Sequence, residues 1–522
     1  MRTLVVTGRL AGDAVRRAIS KLDDVEVYIL PTSVAAFITP EFAARHLKDS
    51  LRGRYDIILM PGTMRGDASI IEEETGVPTF KGPSDAHDLP LVLSHLNEIK
   101  LSKTQSATEL IGGLREEKAL EELRQAEKNR EKILEEKGGF VIGGEGRDIA
   151  VGSAFPMRVI AEIVNAPTLE LDYVKERARY YEAEGADIID IGMLAGDPHP
   201  DRVEGLVGAV RTATQLPVSI DTLDPGEIRA SVDADVDLIL SVDRGNLEDV
   251  ASYVSEVPVV VLPTNMKEGI LPKSAEERFI ALVETISLAQ DLGLEKIIAD
   301  PVLEPTVNPG MMESLKAYQL FRIFNESMPM LFGLGNVTEL IDVDSPGVNG
   351  ILAALATEVG ADLLFVPEYS VKAKGSVRET VTASRMMFLA KRRGTPPKDL
   401  GVDLLKLKEK RWVERPYDVS VEETVEVVNA KEGAELILDD KGWFIIRIDR
   451  DEGLVVATHF RGHQDPDLVV KGDSAREIYH SILGRGLVGR LDHAAYLGKE
   501  LTKAELALKL GRSYVQDGAL FK

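Results

Sequence analysis

Eight short apolar runs, separated by helix-length segments, constrain this chain more than any other feature of its sequence. They are Arg158–Val164, Asp187–Ile191, Val218–Ile220, Asp237–Val242, Val259–Leu262, Lys296–Ala299, Met330–Gly333 and Asp362–Val366. Most are rich in β-branched residues, and each precedes an amphipathic stretch, which is how buried parallel strands in βα units read. After Thr168, residues Leu171, Val174, Ala178 and Tyr181 share one helical face. Asp224-Pro225-Gly226-Glu227 offers an N-cap, a proline at the first helical position and an acid behind it. Ser376-Val-Arg-Glu379 reads as a capping box before the last helix. Eight strands alternating with eight helices over roughly 250 residues predict a (β/α)8 TIM barrel. We place it at residues 139–393, with Gly139–Gly152 as a hairpin closing its floor.

The flanks follow other rules. Residues 1–102 carry apolar runs at Leu4–Val6, Val25–Leu30, Ile57–Met60 and Val77–Phe80. This is a doubly wound α/β pattern of flavodoxin or Rossmann type. The turns Thr7-Gly-Arg, Pro61–Asp67 and Lys81–His87 suit a small ligand or a phosphate, but none is a nucleotide fingerprint, so a structural or docking domain is expected. Residues 103–138 are dense in Glu, Lys, Arg and Leu, as an exposed charged linker helix would be. Residues 412–522 show alternating segments and then two helical stretches, a small α+β domain. There Gly484-Arg-Gly486-Leu-Val-Gly489 matches G-x-G-x-x-G but follows a helix, so it reads as a helix–helix turn. His459 and His463 are expected on the surface rather than in a metal site.

Composition excludes whole classes of function. The 522 residues include no cysteine, which rules out disulfides, thiolate metal sites and thiol catalysis. A net charge of −24 speaks against a nucleic-acid surface. No apolar run approaches the length of a membrane span, and Met1-Arg-Thr-Leu-Val-Val runs straight into a strand, so a soluble cytoplasmic protein is expected.

The carboxyl ends of barrel strands face the mouth, where such folds bind ligands. Those ends offer Asn165, Asp190, Asp221, Ser241 with Asp243, Thr264 with Asn265, Asp300, Asn336 and Glu368 in strand order. Acids and amides without histidine suit a planar heterocycle with several N–H donors, such as a guanine-like or pterin ring. Magnesium is the competing occupant of an acid-rich site. A ring spread over at least six strand ends reads more as a ligand cradle than as one ion cage.

Four segments, in order, resemble the motifs of dihydropteroate synthase: Arg158–Pro167, Gly185–Gly192, Pro217-Val-Ser-Ile-Asp221-Thr and Ile297-Ile-Ala-Asp300-Pro. The flanks resemble those of archaeal dihydropteroate synthase-related proteins. The resemblance implies a barrel enzyme condensing a dihydropterin pyrophosphate with a p-aminobenzoate-type arylamine, toward a methanopterin or folate type carrier. It further implies that Asp221 and Asp300 bind the pterin's N–H edge, supported by Asp190, Ser241, Asp243 and Asn265. Asn165 would orient the first loop and a magnesium-bound pyrophosphate, and a homodimer is expected. The chain departs from that pattern at Met193–Pro198, Leu240, Gly333–Asn336 and Pro367-Glu-Tyr, which removes three expected cationic positions. The nearest replacements are Arg244, Lys267, Lys372 and Lys374. Gly333-Leu-Gly-Asn336 instead resembles the pterin-dependent corrinoid methyltransferases, in which the asparagine sits near the reacting nitrogen. That alternative makes Asn336 catalytic alongside Asn165. It also requires a separate corrinoid protein, because no Asp-x-His-x-x-Gly motif occurs here. A non-catalytic pterin-binding protein is the third reading.

Overall fold

A computed structural model of the chain describes residues 1–47, 51, 53–144, 146–410, 417, 419–430, 437–462 and 465–521. The chain divides into two compact units, residues 1–408 and 409–522.

The first unit opens with four parallel strands, β1 (Thr3–Thr7), β2 (Val25–Ile29), β3 (Ile57–Met60) and β4 (Thr79–Lys81), in the order β2-β1-β3-β4. Alternation along β1 and β3 sends Leu4, Val6, Ile58 and Met60 into one apolar layer. Val5 and Leu59 point to the opposite side.

The charged linker is less exposed than its composition suggests. The helix Gly112–Lys128 buries Arg115, Ala119 and Ala126. Ala119 packs against Leu389, Ala390 and Leu400 beside the last barrel helix. Its charges are anchors: Arg115 bonds Asp88, Glu122 meets Arg393 at 3.2 Å, and Glu127 pairs with Arg158 at 2.7 Å.

Strands β5 (Phe140–Ile142) and β6 (Ile149–Val151) form the antiparallel hairpin. Eight parallel strands follow: β7 (Arg158–Ile163), β8 (Ile188–Gly192), β9 (Val218–Asp221), β10 (Leu238–Val242), β11 (Val259–Val261), β12 (Ile297–Ala299), β13 (Leu331–Gly333) and β14 (Leu363–Pro367). Seven neighbour pairs link them from β12 round to β13. A parallel bridge between Ala299 and Met330 closes the ring. Ile160, Ile188, Leu238, Leu240, Val260, Ile298, Leu331 and Leu363 fill the interior, and Ile142 and Val151 of the hairpin join them at the floor. The other parity packs outward against the helices.

Local signals fare unevenly. Asp224 caps its helix by accepting from the Glu227 N–H. The capping box at Ser376 does not form, because the N-cap is Gly375, left-handed at φ 90°, and Glu379 instead takes bonds from Asn349 and Lys406. A complete box forms at Ser274 and Glu277.

The second unit has the antiparallel strands β15 (Trp443–Asp449), β16 (Leu454–Phe460) and β17 (Pro466–Gly472). Helices Ala475–Gly484 and Leu491–Lys509 pack on one face of that sheet. Gly484–Gly489 lies at the junction of the two helices. His459 corrects the surface expectation. It is fully buried, with Nδ1 2.6 Å from Asp467 and Nε2 3.0 Å from the Lys441 carbonyl. His463 lies outside the described residues. Among the described residues, no helix is long and apolar enough to cross a membrane.

Candidate functional site

Strand parity builds the site. On β7 the residues that share the interior face are Arg158, Ile160 and Glu162, so an acid follows the last apolar layer. Asp190 follows Ile188 on β8, Asp221 follows Ser219 on β9, and Asp300 follows Ile298 just past β12. Four carboxyl groups therefore crown the apolar interior. Glu162 faces Asp190 in register, and Gly192 faces Asp221. A Cβ at Gly192 would collide with the Glu162 carboxylate, so glycine at the end of β8 makes room for that acid.

Each carboxyl is held differently. Asp190 is fully buried; Oδ1 accepts from Ser219 Oγ at 2.6 Å, while Oδ2 has no hydrogen-bond partner among the described residues. Asp221 accepts from Ser241, which a register irregularity in β10 brings to the inner side. Asp300 Oδ1 accepts from Tyr318 Oη and from the Val302 N–H, both at 2.8 Å. Val302 pays a local strain for that bond: its φ is +67°, a conformation β-branched residues rarely adopt. The carbonyl of Val302 is gripped by the buried Arg278 at 2.8 Å.

Burial raises all four acids. Desolvation pushes Glu162 up to about 8, with the charges of Asp221 and Glu339 adding to it. Asp190 lies well above the usual carboxylate range through burial, then through Asp221 and Glu162. Burial raises Asp221 against the bond from Ser241, and raises Asp300 to about 6 against the bonds from Val302 and Tyr318. No cation acts appreciably on Glu162, Asp190 or Asp221. Such a cluster keeps protons or meets donors on a ligand.

The remaining sequence candidates divide. Asp243 is buried, and its carboxylate takes the N–H groups of Gly245, Asn246 and Met266 and the Thr264 hydroxyl. It is thereby committed to holding the loops after β10 and β11. Asn265 accepts from the Glu268 N–H at 3.3 Å within its own loop. Asn165 sits left-handed at φ 53° after β7, and its carbonyl accepts from Thr168. Asn336 is exposed and donates to the Leu303 carbonyl at 2.7 Å, beside the loop that carries Asp300. Glu368 turns away from the ring: it accepts from the Val377 N–H at 2.9 Å and from Tyr180 Oη at 3.1 Å, with Arg177 at 3.8 Å. Three of the candidate cations are engaged elsewhere, Lys267 with Asp249 at 3.2 Å, Lys372 with Asp342 at 3.4 Å and Arg244 with Glu248 at 3.0 Å. Lys374 is exposed. Among the described residues, no three acidic or histidine side chains converge to hold a metal.

Glu162 is the residue that attention to strand ends missed. Its signal was the parity of Arg158, Ile160 and Glu162 along one strand.

Comparison with known proteins agrees with this architecture. Residues 165–366 match the family described as pterin binding enzyme. Residues 2–84 match a family of unknown function, DUF6513, and residues 438–517 match the family PterinBD-DUF4346. An uncharacterized protein of Methanocaldococcus jannaschii is 41% identical over 532 residues, covering 100% of this chain and 99% of the relative. This chain belongs to that protein's family. Over residues 165–366 its barrel is similar in sequence to the pterin binding enzymes. A Ycf91-like protein of a Nostoc species is 36% identical over 126 residues, 19% of this chain and 99% of the relative. Among solved structures, dihydropteroate synthase of Xanthomonas albilineans with 4-aminobenzoic acid is 22% identical, covering 47% of this chain and 96% of that one at a TM-score of 0.39.

Proposed function

We propose that the mouth of the pterin-binding barrel holds a dihydropterin pyrophosphate and condenses it with an arylamine of the p-aminobenzoate type. The observation that carries the reading is the crown of Glu162, Asp190, Asp221 and Asp300. These buried acceptors, three of them without a cationic partner, suit the N–H edge of a pterin. In the condensation the exocyclic methylene carbon bonds the arylamine nitrogen, its C–O bond to pyrophosphate breaks, and the amine's surplus proton leaves to a base. Asp221 and Asp300 fix the ring. Glu162, raised by burial to about 8, keeps its proton near neutral pH and so can donate a hydrogen bond to the ring rather than serve as that base.

One observation favours a second reading. Displaced pyrophosphate needs cations, and Lys267, Lys372 and Arg244 are tied to surface carboxylates. Methyl transfer from a tetrahydropterin to a separate corrinoid protein needs no such clamp, and would use Asn336 next to the reacting nitrogen. Calorimetric titration with oxidised, dihydro- and tetrahydropterins, and with a pterin pyrophosphate analogue, separates the two. If the pyrophosphate tightens binding tenfold or more, about 1.4 kcal/mol, condensation stands. If a tetrahydropterin binds and pyrophosphate adds nothing, methyl transfer replaces it. Absence of pterin binding would refute both.

A further inference from the structure

The floor of the barrel holds a cavity of about 430 Å³, at the opposite end of β7 from the crown of acids. That size lies within the range of small-molecule sites. The linker helix Gly112–Lys128 forms one wall; the hairpin, the start of β7, the turn before β8 and the last barrel helix form the others.

Most charges on these walls are spent within the protein. Arg158 donates to both oxygens of Glu127, at 2.7 and 3.1 Å. Asp148 pairs with Arg130 at 2.7 Å, and Arg124 with the neighbouring Glu121 at 3.0 Å. Asp187 and Arg385 are spent less fully. Asp187 Oδ2 accepts from the Val159 N–H at 2.8 Å, whereas the cation nearest Oδ1 is Arg158 at 3.9 Å, already held by Glu127. The Arg385 guanidinium makes no hydrogen bond or ion pair with the described residues. Its charge reaches Asp187, yet the two groups do not bond. Gly185, left-handed at φ 92°, also lines the gap, and a Cβ there would stand 3.3 Å from Val381 and 3.8 Å from the Arg385 guanidinium.

An acid and a guanidinium that line one cavity without meeting ask for opposite partners. Asp187 Oδ1 takes a donor, and the planar fork of Arg385 takes a carboxylate. Leu120, Leu123 and Val381 give the same cavity apolar walls.

We infer that the floor cavity is a second ligand site, separate from the barrel mouth, for an amino acid with an apolar side chain. The ligand's carboxylate bonds the Arg385 guanidinium and its ammonium bonds Asp187 Oδ1. Its side chain lies against Leu120, Leu123 and Val381. Bound there, it joins the linker helix to the last helix of the barrel.

The test is calorimetric titration of the full chain with L-phenylalanine, with L-leucine and, for each, with the analogues that lack the amino or the carboxylate group. Saturable binding of at least one amino acid is expected, tenfold or more tighter than that of its two analogues. Arg385→Gln should weaken it tenfold or more and leave the melting temperature of the free protein unchanged, because that guanidinium makes no bond within the protein. Asp187→Asn keeps an acceptor for the Val159 N–H, removes the charge, and should weaken binding to a similar extent. Asp221→Asn, in the crown, should leave amino acid affinity unchanged. Absence of saturable binding by either amino acid, an analogue that binds as tightly as its parent, or an affinity that survives Arg385→Gln would overturn the assignment. Loss of binding in Asp221→Asn would move the ligand to the mouth and overturn it equally.

Discussion

Glu162→Gln reads the crown of acids directly. The carboxyl titrates at about 8 in the fold against 4.5 as its ordinary value. Below pH 4.5 both the folded and the unfolded chain hold this proton, and stability is full. Between 4.5 and 8 the unfolded chain releases it while the fold retains it, so stability falls as pH rises and stops falling above 8. The interval of about 3.5 pH units, at 1.36 kcal/mol each, sets the loss on the order of 5 kcal/mol. Glutamine keeps the shape and cannot ionise, so the variant lacks this slope. The assay is urea unfolding of both proteins at intervals from pH 5 to 8.5, followed by a probe in the barrel. Near pH 5 the two should agree within about 1 kcal/mol, and by pH 8 the variant should be the more stable by several kcal/mol. Parallel pH profiles would mean that water reaches Glu162 freely, and the argument for a desolvated crown would fail. Removing this acid also eases ionisation of Asp190, which adds to the variant's advantage, so the measured difference should reach or exceed that figure.

Three further outcomes are expected. Asp221→Asn should weaken pterin binding by more than about 1 kcal/mol in a calorimetric titration, and an unchanged affinity would remove Asp221 from the site. Asn336→Ala should reduce turnover more than ground-state pterin binding if methyl transfer is the reaction, a split that kcat and Kd measured side by side would reveal. Gly192→Ala should destabilise by about 1–3 kcal/mol, because its Cβ meets the Glu162 carboxylate. Glu162→Ala in the same chain should recover most of that loss, and a double-mutant cycle without coupling would contradict the close approach.

Much of the barrel was legible because buried strands announce themselves. Runs such as Val259–Leu262 and Lys296–Ala299 differ from the observed strands only at their ends. The site was legible in part, since the sequence names the residue at a strand's end but does not say which way its side chain turns. Asp243 and Glu368 both stand where a mouth residue would. Asp243 is followed by Gly245 and Asn246, whose N–H groups close a tight turn on its carboxylate, a habit of aspartate that turn chemistry could have flagged. Glu368 is drawn off by Tyr180 and by the first turn of the last helix, partners that only tertiary packing supplies. Ser241 reaches Asp221 through the irregularity in β10, and a single shifted residue leaves no mark in an apolar run. His459 reads as a loop residue beside Gly462, yet it occupies the buried parity of β16 with Val455 and Ala457.

The helix Gly112–Lys128 ties Asp88, next to the four-stranded sheet, to Arg393 and Arg158 of the barrel. Arg158 opens the strand on which Glu162 stands. Melting the small sheet would strip Asp88 from Arg115, a guanidinium 7% exposed, leaving it Asp399 at 3.8 Å, and loosening that helix would strip Glu127 from Arg158, 4% exposed, leaving it Asp187 at 3.9 Å. Removing the nearest partner of a buried charge is costly even where a more distant acid remains. Residues 1–408 are therefore expected to denature as one body, so that a ligand held against that helix would raise the melting temperature of the small sheet as well.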